Sequence, residues 1–405
     1  MSEWRKVKLG ELCKNVTSGG TPTSTVASYY NPPTIPWVKT KEINYCRIYE
    51  SENYISEEGL CNSSAKIIPA NSVIVAMYGQ GDTAGRVAIN KVPITTNQAC
   101  CNLTLDESLA DYEFVYYNLC TLYSKLVSLK KGAAQPNLNA KIIKGLEIDI
   151  PDLQTQHRIA TTLSRYDSLI DNYQKQIKLL EEAAQRLYKE WFVKLRFPGH
   201  ENTKIVDGVP EGWEKKKISD ICDTIGGGTP STKEASYYEG GTIKWVTPTD
   251  ITKNKGLCLL DTDKKITEEG LKHSSAKMLP AGTILMTSRA SVGYFGIADF
   301  EVCTNQGFIS CVPLLEHYQM YLLQNLMNRV EEIRIKAGGS TYLEISKSVF
   351  RNLDIICPSD KILQKFQAKT NAYYIQEKIL STQLRLLTES RDRLLPKLLS
   401  GEIEV

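Results

Sequence analysis

Apolar residues recur at alternating spacings of four and three residues along the segment that follows Pro151. This heptad pattern predicts one helix from about Gln154 to Trp191, roughly 55 Å long at about 1.5 Å per residue. Its seam consists of Ile159, Leu163, Tyr166, Ile170, Tyr173, Ile177, Leu180, Ala184, Leu187 and Trp191. A nearly unbroken seam of this length requires a helical partner.

A second segment near the end of the chain repeats this pattern less perfectly. Its seam positions are Phe366, Thr370, Tyr373, Glu377, Leu380, Leu384, Leu387, Arg391, Leu394 and Leu398. Thr370, Glu377 and Arg391 are the polar exceptions. We expect the two helices to pack antiparallel on each other about a pseudo-twofold axis, with one globular domain at each end. The alternative is that each helix folds back on its own domain.

The segments before the long helices are also duplicated. Gly-Gly-Thr-Pro at 19–22, Tyr-Tyr at 29–30, Trp-Val at 37–38 and Thr-Asn-Gln at 96–98 recur at 227–230, 237–238, 245–246 and 304–306. Glu-Glu-Gly-Leu at 57–60 and Ser-Ser-Ala-Lys at 63–66 recur at 268–271 and 274–277. A series held in register this far indicates an internal repeat.

Each repeat mixes strand and helix signals. Short apolar runs at Ser72–Met77 and Thr283–Met286 predict buried strands, and the Gly-Gly-Thr-Pro segments predict turns. Apolar residues from Val115 to Leu129, and from Leu322 to Ile333, predict one amphipathic helix in each repeat. The fold class is therefore α+β: two repeated globular domains at 1–150 and 199–357, and long helices at 151–198 and 358–405.

Composition limits the functional classes. A net charge of +3 and a pI near 8.1 mean that any phosphate-binding surface is a local concentration of basic residues. The eleven cysteines are scattered without Cys-x-x-Cys spacing, which argues against zinc binding and favours thiols in a reducing cytoplasm. Without a leader-like start or a long apolar run, we expect a soluble cytoplasmic protein with no membrane segment.

Several short motifs superficially suggest catalysis. Asn31-Pro32-Pro33-Thr34 lacks the aromatic residue of an adenine methyltransferase motif, and no Phe-x-Gly-x-Gly cofactor loop occurs. The glycine-rich segment 226–233 does not match a P-loop, and Asp152 is better explained as a helix cap than as part of a nuclease site. The histidines at 157, 200, 273 and 317 are too dispersed to predict a metal site or a dyad. For Thr-Asn-Gln we favour a structural role over adenine reading, because both repeats retain it.

The chain resembles the specificity (S) subunits of type I restriction-modification systems over essentially its whole length. The resemblance rests on the duplicated motifs, on the segments ending at Pro151 and Pro358 that lead into the long helices, and on Glu190-Trp191-Phe192. The opening of the second repeat at 209–214 and the closing Leu-Leu-Pro-Lys-Leu-Leu-Ser-Gly-Glu-Ile at 394–403 are also typical of this family.

The resemblance implies a DNA-sequence-specificity subunit without catalytic chemistry of its own. Each target-recognition domain would bind one half of a bipartite sequence in double-stranded DNA. The paired helices would fix the spacing and dock two methyltransferase subunits, and restriction and translocation subunits would join that core. No cofactor is expected on this chain, since S-adenosylmethionine, ATP and magnesium would be used by the partner subunits.

Residues that differ between the repeats are candidates for reading bases, and the shared polar residues suit either phosphate contacts or a role in domain structure. Gln80 has the groups to pair with adenine and Arg289 those to grip guanine, although an ordinary surface loop is the alternative. The full candidate set is Thr21, Lys39, Lys41, Lys66, Gln80, Arg86, Gln135 and Asn137 in the first repeat, and Thr229, Thr247, Thr249, Lys277, Ser288, Arg289, Thr341 and Tyr342 in the second.

Two other functions remain open from the residues. A self-sufficient DNA methyltransferase would need the cofactor motifs that are missing here. A free-standing DNA-binding or regulatory protein would keep this architecture without partners. Purification with and without a co-expressed methyltransferase would separate these possibilities.

Overall fold

The computed structural model describes residues 4–130, 137–338 and 343–405. They form two compact units. Unit 1 comprises the residues up to Leu169 together with Leu387–Val405, and unit 2 comprises Ile170–Leu386. The division falls inside both long helices. Each unit therefore contains one globular domain, the first part of one long helix and the last part of the other.

Unit 1 is built on a five-stranded sheet, a three-stranded sheet and a two-stranded ribbon. Its strands are β1 (Arg5–Lys8), β2 (Cys13–Ser18), β3 (Ile35–Val38), β4 (Cys46–Ile48), β5 (Tyr54–Ile55), β6 (Val73–Ala76), β7 (Val87–Asn90), β8 (Thr95–Thr96), β9 (Cys100–Leu105) and β10 (Glu147–Ile150). The strand orders are β2-β9-β6-β7-β4, β5-β3-β8 and β1-β10. The strand predicted at Ser72–Met77 is β6, and all four of its residues are buried.

The helices of unit 1 are α1 (Glu57–Cys61), α2 (Tyr112–Thr121), α3 (Tyr123–Ser128), α4 (Ala140–Lys144) and the first part of α5 (Leu153–Tyr188). The prediction of a single amphipathic helix through Leu129 is wrong, because the helix is interrupted at Leu122 between α2 and α3. The break keeps both apolar faces in one core, since Leu119 and Leu126 are both fully buried.

Unit 2 repeats this architecture. Its strands are β11 (Ile205–Val206), β12 (Val209–Pro210), β13 (Glu214–Lys217), β14 (Cys222–Gly226), β15 (Ile243–Val246), β16 (Cys258–Leu259), β17 (Lys264–Ile266), β18 (Thr283–Thr287), β19 (Phe295–Ala298), β20 (Cys303–Thr304), β21 (Phe308–Pro313) and β22 (Asp354–Cys357). Its sheets have the orders β14-β21-β18-β19-β16, β17-β15-β20 and β13-β22, with β11-β12 as an added hairpin. The strand predicted at Thr283–Met286 is β18.

The helices of unit 2 are α6 (Pro248–Thr252), α7 (Glu268–Lys272), α8 (Gln319–Asn328), α9 (Val330–Lys336), α10 (Lys347–Arg351) and the first part of α11 (Asp360–Leu399). Here too the predicted single helix is broken, at Arg329 between α8 and α9. The Arg329 guanidinium donates to the Asp354 carbonyl oxygen at 2.6 Å and ties the break to β22. The two repeats are confirmed as α+β domains.

Six of the ten predicted seam positions of α5 are buried, and Tyr166, Tyr173, Leu180 and Leu187 are half-buried. Along the helix, Ile159, Leu163, Ile170, Ile177 and Ala184 are at most 6% exposed. In unit 1, Ile159 and Leu163 share a core with Leu398 from the end of α11. In unit 2, Trp191, in a π turn after α5 at Lys189–Val193, packs against Phe366 near the start of α11. The two helices are therefore antiparallel within each unit.

Each long helix also packs on the globular domains, but its far end joins the core of the other repeat and does not fold back on its own domain. The start of α5 belongs to the core of its own repeat in unit 1. Its end, including Tyr188, joins the core of the second repeat in unit 2. Tyr188 and Trp191 are 4% and 6% exposed, and the partly buried Phe192 packs against the same cluster. This aromatic group is therefore core, as expected.

The polar residues in the α11 seam have specific partners. Thr370 donates its hydroxyl to the Phe366 carbonyl oxygen of its own helix at 2.8 Å. Glu377 is 2% exposed, and its Oε1 accepts the backbone N–H groups of Leu257 and Cys258 at 2.6 and 3.0 Å. A buried carboxylate with hydrogen-bond donors can replace an apolar seam residue. The same bonds tie the helix to strand β16.

Arg391 belongs to a buried ionic cluster in unit 1. Its guanidinium reaches Asp167 Oδ1 at 2.9 Å, while Arg47 reaches Asp167 Oδ2 at 2.9 Å and Glu113 at 2.6 Å. Burial would raise the pKa of Asp167, but hydrogen bonds from Tyr117 and Arg391 and the charge of Arg47 lower it below its ordinary value. The cluster links strand β4, helix α2 and both long helices.

A second acidic site, in unit 2, makes the stability of the folded protein depend on pH. Burial raises the pKa of Glu181 and Glu377 from 4.5 to about 7, and the charge of Glu377 contributes to the shift of Glu181. Both groups bind protons more tightly in the folded state. Their contribution to stability is therefore fully present below about pH 4.5 and is lost as pH rises through about 7.

We expect Glu181→Gln to raise the urea midpoint at about pH 8, because it removes one carboxylate from a pair in which Glu181 is half-buried and Glu377 is buried. The change in stability between about pH 5 and pH 8 should also become smaller. Urea titrations at several pH values measure both effects. Glu331→Gln is the control, since that side chain is 75% exposed, pairs with Arg334 and does not contribute to the shift of Glu181. An unaltered pH profile in Glu181→Gln would contradict this account.

Candidate DNA interface

The motifs of the first repeat converge on one turn at the edge of its sheets. The Trp37 indole donates to the Gly20 carbonyl oxygen at 3.0 Å, and the Tyr30 hydroxyl donates to that of Pro22 at 2.7 Å. The Gly20 N–H donates to the Thr96 carbonyl oxygen at 2.9 Å. Gly-Gly-Thr-Pro, Tyr-Tyr, Trp-Val and Thr-Asn-Gln are thus parts of one hydrogen-bonded framework.

The second repeat builds the same framework with matching distances. Trp245 donates to Gly228 at 3.0 Å and Tyr238 to Pro230 at 2.7 Å. The Gly228 N–H donates to Thr304 at 2.9 Å. A Cβ atom on Gly227 would lie 2.1 Å from the Thr304 carbonyl oxygen, which leaves no room for a side chain. The structural role predicted for Thr-Asn-Gln therefore holds for its backbone and its threonine.

Candidate reading loops begin beside this framework. In unit 1, the Met77 N–H donates to the Ala99 carbonyl oxygen, and the Leu138 N–H donates to that of Met77. In unit 2, Ser288 makes the equivalent bonds with Gly307 and Ile345. The loop after β6 or β18 and the segment before α4 or α10 therefore meet beside the Thr-Asn-Gln turn in each unit.

The loop of unit 1 presents Gln80 to solvent and is held at its base by Arg86. The Arg86 guanidinium reaches Asp82 Oδ1 at 2.5 Å and Asn44 Oδ1 at 3.0 Å. This bond to Arg86 lowers the pKa of the Asp82 carboxyl below its ordinary value. Arg86 is thus placed to support the loop, and Gln80 is placed at its exposed surface.

The loop of unit 2 is shorter and chemically different. Ser288 is 3% exposed, so its backbone rather than its side chain takes part in the edge. Arg289 is exposed, and its Nε lies 3.6 Å from Glu344 Oε2. Its main chain also forms a bridge with Glu344. The structure therefore brings together Arg289 and a carboxylate that we did not select from the sequence.

Other candidates divide into tethered and exposed side chains. Lys39 donates to Asn53 Oδ1 at 3.0 Å and lies over the Trp37 ring, while Lys41 is exposed beside Glu52. Thr247 caps α6 by bonding to Asp250, and Thr249 is exposed in the next turn. Asn137 is half-buried; Lys66 and Lys277 are exposed. Gln135, Thr341 and Tyr342 lie outside the described residues.

The catalytic lookalikes occupy ordinary structural positions. Asp152 caps α5, accepting the Thr155 N–H at 3.0 Å, as expected from the sequence. His157, His200 and His317 lie beside acidic residues, and His273 stacks on Tyr237. No group of three or more metal-ligating side chains is found among residues 4–130, 137–338 and 343–405. No helix in these same ranges has the length and apolar character needed to cross a membrane.

The family model described as "Type I restriction modification DNA specificity domain" matches residues 1–182 and 210–389. The chain belongs to this family. The two matches correspond to the two repeats with most of their long helices. The framework and the differing loops are thus features of a protein with two type I specificity domains.

Comparisons with individual proteins agree with this membership. The type I restriction enzyme MjaIX specificity subunit of Methanocaldococcus jannaschii is 31% identical over 100% of this chain and 94% of its own length. The HindI specificity subunit of Haemophilus influenzae is 24% identical over 100% of both chains. A crystal structure of an S subunit from M. genitalium has the same fold, with a TM-score of 0.64 and 17% identity over 98% of this chain and 96% of that one.

We did not select Glu344 as a candidate from the sequence, and the reason is physical. It lies 55 residues after Arg289, and only the pairing of two chain segments brings the side chains together. The one available signal was its repeat position, where the first domain has the neutral Asn137. A charged residue in one repeat at the position of a neutral residue in the other marks a chemical difference between the two domains.

The glycine framework predicts a sharp contrast between adjacent positions. Gly227→Ala should destabilise the protein by about 2 kcal/mol or more, because the added methyl overlaps the Thr304 carbonyl oxygen. Gly226→Ala is the matched control, since no heavy atom lies within 4 Å of its added Cβ. Urea unfolding of both variants measures the difference. Equal urea midpoints would show that the close approach of Gly227 to the Thr304 carbonyl oxygen does not matter for stability.

Proposed function

We propose that this chain is the DNA-sequence-specificity subunit of a type I restriction-modification complex. Each repeat binds one half of a bipartite sequence in double-stranded DNA. The long helices set the distance between the halves and dock methyltransferase subunits, which restriction and translocation subunits join. The chain itself performs no catalysis and works in the cytoplasm.

One observation carries this proposal. The two units present the same hydrogen-bonded framework at one edge, while the loops beside it differ in length and chemistry. Gln80 lies in one loop and Arg289 in the other. A constant framework with different side chains at its edge suits two readers that dock alike on the DNA backbone and meet different bases.

Chemical steps are assigned to the partner subunits. S-adenosylmethionine would serve the methyltransferase, and ATP with magnesium would serve the restriction and translocation subunits. This chain lacks the glycine-rich cofactor loop of a methyltransferase and the full P-loop pattern. These missing motifs favour a specificity subunit over a self-sufficient methyltransferase.

The proposal is tested by mapping methylated adenines in the genome of the host with and without this gene. We expect methylation at a two-part sequence with a fixed gap, and its loss when the gene is deleted. Purification with a co-expressed methyltransferase should yield a stable complex. A free-standing DNA-binding protein would purify alone and leave genomic methylation unchanged.

Single substitutions should separate base reading from backbone contact. Arg289→Ala should lose about 1–3 kcal/mol of discrimination at one base position, because a guanidinium fork pairs with guanine. Lys277→Ala should weaken binding to all sequences and lower the salt slope by about 1, because one phosphate contact is lost. Binding of the methyltransferase complex to matched and mutated duplexes, at several salt concentrations, measures both.

The two substitutions serve as controls for each other. A specificity profile that is unchanged in Arg289→Ala would remove Arg289 from the set of base-reading residues. A loss confined to one sequence in Lys277→Ala would contradict its assignment to the phosphates.

The docking surface is a stripe on the outer face of α11 in unit 2. Ile375, Ile379 and Leu386 lie on one helical face and are 52%, 46% and 53% exposed, although they are apolar. Exposed apolar residues aligned along a helix are typical of contacts with another protein. We assign this stripe to a helix of the methyltransferase subunit.

Ile379→Asp should reduce association with the co-expressed methyltransferase by at least about tenfold, because a charge would be buried in an apolar contact. Co-purification and analytical ultracentrifugation measure the complex. Ile335→Asp is the control: Ile335 is 82% exposed and lies on α9, outside the stripe. A complex that withstands Ile379→Asp would place the methyltransferase elsewhere.

A further inference from the structure

One exposed side-chain pair occurs identically in both domains and is not explained by the framework. Thr21 donates its hydroxyl to Gln98 Oε1, and Thr229 donates its hydroxyl to Gln306 Oε1. All four residues are exposed. Gln98 and Gln306 are the last residues of the Thr-Asn-Gln motifs, for which we expected a structural role.

The pair adds little to the stability of the turn. The backbone of Gly20 is already fixed by Trp37 and Thr96, and that of Pro22 by Tyr30. A solvent-exposed hydrogen bond contributes only modestly beyond such contacts. Structural need therefore accounts for Thr96 and the backbone of the motif, but not for an exposed glutamine in both domains.

The threonine determines which way the carboxamide faces. Because its hydroxyl donates to Oε1, the carbonyl side of each glutamine is occupied and the NH₂ group retains two donors. A fixed pair of donors suits a phosphate oxygen, which accepts hydrogen bonds from glutamine and threonine side chains in DNA complexes.

A shared lysine lies next to the same turn. A Cβ atom on Gly20 would be 2.3 Å from the Ala65 backbone nitrogen, so the segment carrying the exposed Lys66 packs directly on this turn. The equivalent distance from Gly228 to Ala276 is 2.4 Å, and Lys277 follows. Each domain therefore combines an oriented amide with a nearby lysine beside loops that differ.

We propose that Gln98 and Gln306 are equivalent anchors for DNA phosphates, each oriented by its threonine. They hold the two readers in the same register on the DNA backbone, independent of the bases read by the loops. This inference rests on the proposed function, since it requires that the chain binds duplex DNA.

The decisive variant is the double substitution Gln98→Glu with Gln306→Glu. Glutamate keeps an oxygen that accepts the threonine hydroxyl, but it replaces the NH₂ donors with a negative charge that repels phosphate. We expect the complex with the methyltransferase to bind its mapped duplex and a scrambled duplex about tenfold or more weakly. The methylated sequence and the urea midpoint should stay unchanged.

Two further variants complete the test. Thr21→Val with Thr229→Val leaves the amides in place but removes their orientation, and it should weaken both duplexes by a smaller factor. Asn15→Asp with Asn202→Asp adds the same charge at exposed positions, one in each unit and outside the long helices, and should bind like the unsubstituted protein.

Four results would overturn the inference. Unchanged binding by the double glutamate variant would exclude a phosphate contact. A change in the methylated bases of both half-sites would make these residues base readers. A fall in both the urea midpoint and binding in Gln98→Ala with Gln306→Ala, with full recovery of both in the glutamate variant, would leave only a structural role. If the unsubstituted complex bound no duplex at all, the proposed function itself would fall, and this anchor with it.

Discussion

The structure depends on the burial of a long apolar seam that neither repeat can complete alone. In unit 1, the core around Ile159 and Leu163 includes Leu398 and Leu399 from the far end of the chain. In unit 2, the core around Phe366 includes Tyr188 and Trp191 from the end of the other helix. Since a helix with this pattern is stable only when its seam is covered, each domain depends on residues supplied by the other half of the sequence.

Each domain combines a framework that is the same in both repeats with loops that differ between them. The framework consists largely of bonds to backbone carbonyl oxygens, as in the contacts of Trp37 and Trp245 with glycine. Backbone acceptors are present whatever the neighbouring side chains are. The loops that start at Met77 and Ser288 can therefore change in length and composition while the turn beside them keeps its geometry.

Local patterns allowed prediction of the helices, strands and repeats, because heptad spacing and apolar runs are properties of short segments. Burial of polar groups was not predictable in this way. Asp167 lies outside the apolar seam of α5 and is nevertheless buried, because its partners Arg47 and Arg391 come from 120 and 224 residues away. The breaks at Leu122 and Arg329 also escaped prediction, since the apolar spacing continues through both. In the candidate interface, the sequence pointed to Arg289 but not to Glu344, because their pairing exists only after two distant segments meet.

The bond between Glu377 and the amides of Leu257 and Cys258 makes a helix and a strand edge mechanically continuous. The apolar stripe at Ile375 and Ile379 lies on the same helix, and the turn at Thr247–Thr249 belongs to the segment that leads into β16. A subunit that moves α11 would therefore also act on the segment that carries Thr247 and Thr249. Binding of that subunit and recognition of the bases would then both depend on the contact between Glu377 and the two amides. The rigidity of this contact would determine how strongly subunit binding affects base recognition.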